Sequence, residues 1–238
     1  MIPKRIHYCW FGRKPLPELA QRCIASWHKY LPDYEIKEWN EDNFDLNSNT
    51  YVKEAYNAKK YAFVTDYVRL YALYHEGGIY MDTDVEVLKP LDKFLCHTAF
   101  SGFEDEKNVP TGIMASIAGG SWAKENLLYY NNRHFIINGN FDLTTNVQII
   151  TNYMISKGLR QDNSFQDFQD LITIYPKDYF CPKSYHNGKI YLTEYTYTIH
   201  HFAGSWLSNK KKIYMLVERY MGQNFAKICY NLFKRVFK

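Results

Sequence analysis

The chain has 238 residues, 46% hydrophobic and 23% charged, with a formal net charge of +4. That length supports one substantial core, and the apolar share is ordinary for a globular protein. No apolar run approaches the ~20 residues that cross a bilayer as a helix. The opening MIPKRIHYCWFG lacks the apolar core and small-residue cleavage site of a secretory leader, and is expected to be a first strand instead.

The charge is unevenly placed. From Ser208 onward eight Lys/Arg face the single acid Glu218, so the rest of the chain is slightly acidic. A long basic groove for nucleic acid is therefore not expected. Five cysteines (Cys9, Cys23, Cys96, Cys181, Cys229) are odd in number, scattered and without a CxxC pair. This favours free thiols in a reducing, cytoplasmic setting over disulfides or zinc. Aromatics make up 18%, with 22 tyrosines, which suits sugar- or base-facing surfaces as well as an aromatic core.

In chain order, Pro3 to Trp10 is expected to be a strand ending at Phe11-Gly12. A helix follows from Leu16 to Leu31, with Leu19, Cys23, Ile24 and Trp27 at spacings of three and four and Pro32 beyond its end. Tyr34 to Trp39 alternates as a second strand, and Thr50 to Lys59 is a short helix. This strand–helix–strand opening points to a parallel pair joined by a crossover, hence an α/β sheet. Lys60 to Glu76 reads as a helix apolar on most faces, stopped by Gly77-Gly78. Ile79 to Met81 is then a central strand, delivering Asp82 and Asp84 at its C-terminal end, where open α/β sheets bind ligands.

Beyond Pro90, strands are expected at Thr98 to Phe103, Gly112 to Ala118, Leu171 to Tyr175 and Lys189 to Ile199. Helices are expected at Trp122 to Asn131 and Leu143 to Ser156. The domain division is residues 1–207 and a basic amphipathic helical extension over 208–238.

Asp-x-Asp alone is weak evidence, because thirteen aspartates produce such a pair by chance roughly once per chain. Its setting gives it weight: on an extended strand end both carboxylates point to one side and can share a hard divalent cation. Asp66 and Arg69, three apart, share one face of a helix too apolar to have much surface. Buried charges of that kind need partners, and sugar hydroxyls and phosphates qualify. Far along the chain, Ile199-His200-His201-Phe202-Ala203-Gly204-Ser205-Trp206 brings imidazoles that could complete a metal site.

Together these segments resemble one family. Ile2 to Gly12, Ser26-Trp27, Trp39-Asn40-Glu41, Ala62 to Arg69, Gly77 to Val85 and the closing His-His-Phe-Ala-Gly-Ser-Trp look like the ordered motifs of the DXD-motif sugar transferases. That family includes yeast α-1,6-mannosyltransferases and bacterial capsule and O-antigen enzymes, and is distantly related to the clostridial glucosylating toxins. The resemblance implies a GT-A fold, a Rossmann-like mixed sheet flanked by helices. It implies a retaining hexose transfer from a nucleotide-sugar donor, UDP-linked in preference to GDP-linked, with Mn²⁺ or Mg²⁺. The acceptor would be a glycan or lipid-linked saccharide in surface polysaccharide synthesis.

Carried over by position, Trp10 would stack on the base, and Asp66, Arg69 and Tyr80 would line the donor. Asp82 would hold ribose and metal, Asp84 metal, and Ser205 and Trp206 the diphosphate end. For the further metal ligand, His200 and His201 are both open and His201 is favoured. Thr65 stands where the family usually has Ser. The alternative function is a non-catalytic carbohydrate- or metal-binding module. The basic amphipathic extension is expected either to pack on the domain or to meet an anionic membrane peripherally, on the inner face of the plasma membrane.

Overall fold

In the computed structural model the described residues are 1–185 and 187–204. The expected extension therefore lies outside the described residues, as do Ser205 and Trp206. The opening follows the sequence reading closely. Strand β1 (Arg5–Cys9) leads through helix α1 (Glu18–Tyr30) to β2 (Glu35–Trp39), and helices α2 (Thr50–Asn57) and α3 (Tyr61–Glu76) lead to β3 (Gly78–Met81). After the short β4 (Val85–Val87) come β5 (Ala99–Gly102), β6 (Ile113–Ser116) and α4 (Ser121–Leu128). A two-stranded hairpin, β7 (Ile136–Ile137) and β8 (Asn140–Phe141), precedes α5 (Asn146–Ser156). The last elements are β9 (Gln166–Asp167), β10 (Thr173–Tyr175), α6 (Lys177–Phe180) and β11 (Thr198–His200).

Seven strands form one sheet in the order β2-β1-β3-β6-β5-β10-β9. The β2, β1 and β3 strands run parallel, whereas β6 is antiparallel to both of its neighbours. This is the expected Rossmann-like mixed sheet flanked by helices, with β3 in its interior. Alternation along β3 sorts its side chains: Ile79 and Met81 join the core cluster containing Trp27, Leu31 and Phe180, while Tyr80 joins the cluster containing Val64, Val68 and Trp122. Tyr80 and the following Asp82 thus share the α3 face.

Several family-like motifs prove to be braces. Trp27 of α1 donates its indole N–H to the Val85 carbonyl at 2.7 Å, and the Ser26 hydroxyl accepts the Val87 N–H at 2.9 Å. Together they pin β4, which pairs antiparallel with β11 in a separate two-stranded sheet. Glu41 accepts the Gly12 N–H at 2.6 Å and the Tyr56 hydroxyl at 3.0 Å, fixing the loop after Trp10.

The expected strand Lys189 to Ile199 is realised only at its end, as β11, with one isolated bridge from Lys183 to Ile190. Its pattern resembles a strand, but Tyr191 and Leu192 are more than half exposed, and no neighbour receives that face. Of the described cysteines, Cys9, Cys23 and Cys181 are buried free thiols, as the sequence suggests, whereas Cys96 is exposed.

His7 ties three of these elements together. Its fully buried ring accepts the Trp39 indole N–H on Nδ1 at 3.0 Å, so Nε2 carries the proton and donates to the Gly77 carbonyl at 2.7 Å. Burial holds its pKa below the ordinary 6.5, although the bond to Gly77 opposes this. A second proton on Nδ1 would face the indole donor. The pairing therefore contributes fully above pH 6.5 and is lost as pH falls below it toward the lowered folded value. Urea unfolding should show His7→Phe less stable than wild type by about 2–5 kcal/mol at pH 8, for two buried groups left unpaired. The gap should narrow at pH 5.

Candidate functional site

The site gathers at the C-terminal ends of β1 and β3. Asp82 extends β3 by one step, donating its N–H to the Gly112 carbonyl at 2.8 Å. The Val85 N–H then returns to the Asp82 carbonyl at 3.0 Å. Asp82-Thr83-Asp84 is therefore a turn, not the extended strand end expected from spacing. The turn brings both carboxylates toward β11, whose His200 lies with Nε2 3.4 Å from Asp84 Oδ1 and 3.9 Å from Asp82 Oδ2.

Asp82, Asp84 and His200 each present a ligand atom, all within 4.8 Å of one another. Two hard carboxylate oxygens with one imidazole nitrogen suit Mn²⁺ and are compatible with Mg²⁺. Both His200 and Asp84 are penalised by burial, and each offsets the penalty on the other. His200 is held well above its usual pKa by the Asp84 charge, and Asp84 below its own by His200 and by the Ala203 N–H. A proton on His200 thus balances the cluster electrostatically where a cation would displace it.

His201, favoured from the sequence, points elsewhere. Its Nε2 meets Glu86 Oε2 at 2.8 Å, and its N–H donates to the Asp84 carbonyl at 3.0 Å. Successive side chains of a strand face opposite ways, so only one of two adjacent histidines can turn to the aspartates.

Arg69 occupies the centre of the α3 side. One guanidinium nitrogen lies 3.3 Å from Asp66 Oδ1 and 3.2 Å from Asp82 Oδ1, and the group stands 4.6 Å above the Tyr80 ring. The Tyr80 hydroxyl donates to Asp82 Oδ1 at 2.8 Å. Asp66 also accepts the Asn146 N–H, at the start of α5, at 3.2 Å. Burial nevertheless pushes its pKa up to about 6, against the Arg69 charge. Half-buried Trp10 follows β1 at this same end of the sheet, where its backbone N–H donates to the Trp39 carbonyl at 2.9 Å.

Glu104, not singled out from the sequence, completes the cluster. It follows β5, with Oε1 3.8 Å from His200 Nδ1. Nothing in its polar loop, Glu104 to Pro110, distinguishes it from Asp105 or Glu106. Only the fold brings it to the histidine.

Removing the Arg69 charge leaves Asp66 and Asp82 without their shared counter-charge. Arg69→Met should lower stability by about 3–5 kcal/mol in urea unfolding at pH 8. The loss should be smaller at pH 5, where Asp66, its pKa pushed up to about 6 by burial, takes up a proton. Arg69→Lys, charged but without the planar fork, should fall between them.

The chain is similar to known proteins over part of its length. Residues 17–101 match the family described as the glycosyltransferase sugar-binding region containing DXD motif. That stretch holds Asp66, Arg69, Tyr80, Asp82 and Asp84. Inositol phosphoceramide mannosyltransferase 3 of Schizosaccharomyces pombe is 31% identical over 125 residues, 50% of this chain and 33% of that protein. Inositol phosphoceramide mannosyltransferase 1 of the same yeast is 28% identical over 110 residues, 42% of this chain and 33% of that protein. The matched stretches thus span about a third of the length of these curated relatives. Among solved structures, PaToxG glycosyltransferase is similar with a TM-score of 0.47 and 17% identity, over 66% of this chain and 70% of that one. The matched family segment is the part of the chain that holds helix α3 and the paired aspartates.

Proposed function

We propose that this chain is a metal-dependent glycosyltransferase that moves a hexose from a nucleotide-sugar donor to a saccharide or lipid-linked saccharide acceptor with retention. The observation that carries the reading is the convergence of Asp82, Asp84 and His200 beside the Arg69–Asp66 pair. Asp82, Asp84 and His200 would hold Mn²⁺ or Mg²⁺, which when bound supplies positive charge to a departing diphosphate. The geometry favours His200 over His201 as the third ligand.

Arg69 is fixed before any donor arrives and adds a second positive charge in a site sheltered from water. Asp66, held by the α5 N-terminus and Arg69, presents its carboxylate for sugar hydroxyls. Trp10 would stack on the base, and Ser205 and Trp206 are assigned to the diphosphate end, all three by resemblance. The acids described around the site are all engaged: Asp66 with Asn146 and Arg69, Asp82 and Asp84 with the proposed cation, and Glu104 beside His200. This supports front-face substitution, in which the donor phosphate helps deprotonate the acceptor hydroxyl, over a covalent intermediate.

The relatives' names make mannose the first sugar to test, alongside the UDP-hexoses favoured from sequence. They also support a lipid-borne acceptor. Synthesis of capsule, O-antigen or a similar surface glycan on the cytoplasmic face of the membrane would bring such an acceptor within reach of the basic segment 208–238. Among the described residues no helix is long and apolar enough to cross a membrane.

With Mn²⁺ and a panel of UDP- and GDP-hexoses, the wild type should hydrolyse one donor slowly and transfer faster once an acceptor is supplied. Asp84→Ala should reduce turnover about 100-fold or more, and EDTA should abolish it in the wild type. A non-catalytic binding module would bind donor without turnover. Full activity of Asp84→Ala in excess EDTA would sink the metal-dependent reading.

A further inference from the structure

The His200 ring has two nitrogens, and the metal reading uses only Nε2. Nδ1 is buried and makes no hydrogen bond. An unpaired buried nitrogen is costly, and metal-binding imidazoles ordinarily donate their second N–H to a carboxylate or carbonyl that fixes tautomer and ring orientation. The carboxylate facing this nitrogen is Glu104, with Oε1 at 3.8 Å. That is less than 1 Å beyond hydrogen-bonding range.

Both partners are held in place by their surroundings. Phe202 lies on the His200 ring with centroids 4.3 Å apart. Gly112 closes in as well: a Cβ there would come within 3.1 Å of His200 ring carbons. Glu104 is anchored through its backbone N–H, which donates to the Asn108 carbonyl at 2.9 Å. Asp105 secures the loop, its Oδ1 accepting the N–H groups of Lys107 and Asn108 at 2.8 Å each. The neighbouring Phe103 N–H donates to the Tyr175 carbonyl at 2.9 Å, fastening the approach to Glu104 onto the sheet.

We propose that Glu104 is a positioning residue for the metal site: its carboxylate accepts the Nδ1–H of His200 and so presents Nε2 as the lone-pair donor beside Asp82 and Asp84. The inference rests on the metal-binding reading and adds a residue outside the matched family segment, which ends at residue 101. The Cys181 thiol is also within hydrogen-bonding reach of the ring, but a thiol is a weak acceptor beside a carboxylate.

The test is Mn²⁺ affinity of the full chain without donor, read from the free-Mn²⁺ electron paramagnetic resonance signal, with thermal midpoints in EDTA as the folding control. Glu104→Ala should weaken Mn²⁺ binding about 10–100-fold. Glu104→Gln, which keeps an acceptor oxygen, should recover most of that loss, and Cys181→Ala should stay within about twofold of wild type. In the His200→Ala background, adding Glu104→Ala should cost nothing more, because the effect passes through the ring.

Wild-type affinity in Glu104→Ala would refute the role. A further loss in the His200→Ala background would make Glu104 a direct ligand and overturn the proposal, as would an equal loss in Cys181→Ala. If Glu104→Ala does not fold, Glu104→Gln decides: a loss as deep as that of His200→Ala overturns the proposal, and a smaller one supports it. Failure of the wild type to bind Mn²⁺ would remove the metal reading together with this inference, whereas normal binding in wild type and Glu104→Ala alike would remove only the latter.

Discussion

Between Glu76, the last residue of α3, and Ile79 in β3, the chain reverses within two glycines whose backbones press against neighbouring strands. Gly77 sits at φ +65°, where a Cβ would lie 2.6 Å from the Ala118 nitrogen. Gly78, at φ +113°, would place one 2.7 Å from the Arg5 carbonyl oxygen. No other residue type fits this pair of positions without moving the sheet. The reversal sets the distances in the site. From Arg69 to Glu76 the helix rises about 10 Å, and from Ile79 to Asp82 the strand covers about the same length. The guanidinium consequently arrives level with Tyr80 and Asp82. His7, bonded to the Gly77 carbonyl, locks the reversal onto β1 and through Trp39 onto β2.

Seen from that reversal, the recurrent motifs divide by task. His7, Trp39, Ser26, Trp27 and Glu41 serve the frame: buried indole, imidazole and hydroxyl groups that each satisfy a specific backbone or side-chain partner. Such groups are costly when unpaired, so each holds its element in one register. Asp66, Arg69, Tyr80 and Asp82 are joined in one cluster of ion pairs and hydrogen bonds between α3 and the end of β3, and Asp84 lies beside His200. A match to a family motif therefore does not by itself mark a residue as chemical. In the stretch from Gly77 to Val85, glycines that permit the turn stand beside the aspartates that the turn delivers.

The same division explains what the sequence made legible. Elements with long periodic patterns and clear stops, such as α1, β2, α3 and β3, appear where spacing places them, because local pattern and tertiary burial agree there. Reading failed where partners from distant parts of the chain decide. The Asp82–Asp84 pair converges through a turn closed by the Val85 N–H, not through strand pleating. The choice between His200 and His201 depends on the register of β11 against β4, which neither short strand encodes alone. Residues 189–197 alternate like a strand but pair only in isolated contacts, as at Lys183–Ile190 and Leu88–Tyr197. Glu104 left no signal, since its role depends on a histidine almost a hundred residues away.

The electrostatics of the cluster give these placements a common purpose. Asp66, Asp82, Asp84 and Glu104 converge on one permanent cation, Arg69, and one titratable one, His200. Burial pushes the Glu104 pKa up to about 7 and that of Asp66 to about 6, so both carboxyls are poised to hold protons that their surface counterparts would have lost. A bound cation would offset that burial penalty, because nearby positive charge favours the ionised form of a carboxyl. A diphosphate brought with that cation would find Arg69 already in place. On the proposed reading the excess of carboxylates would draw the metal, and the metal with Arg69 would make an otherwise acidic site receptive to an anionic donor.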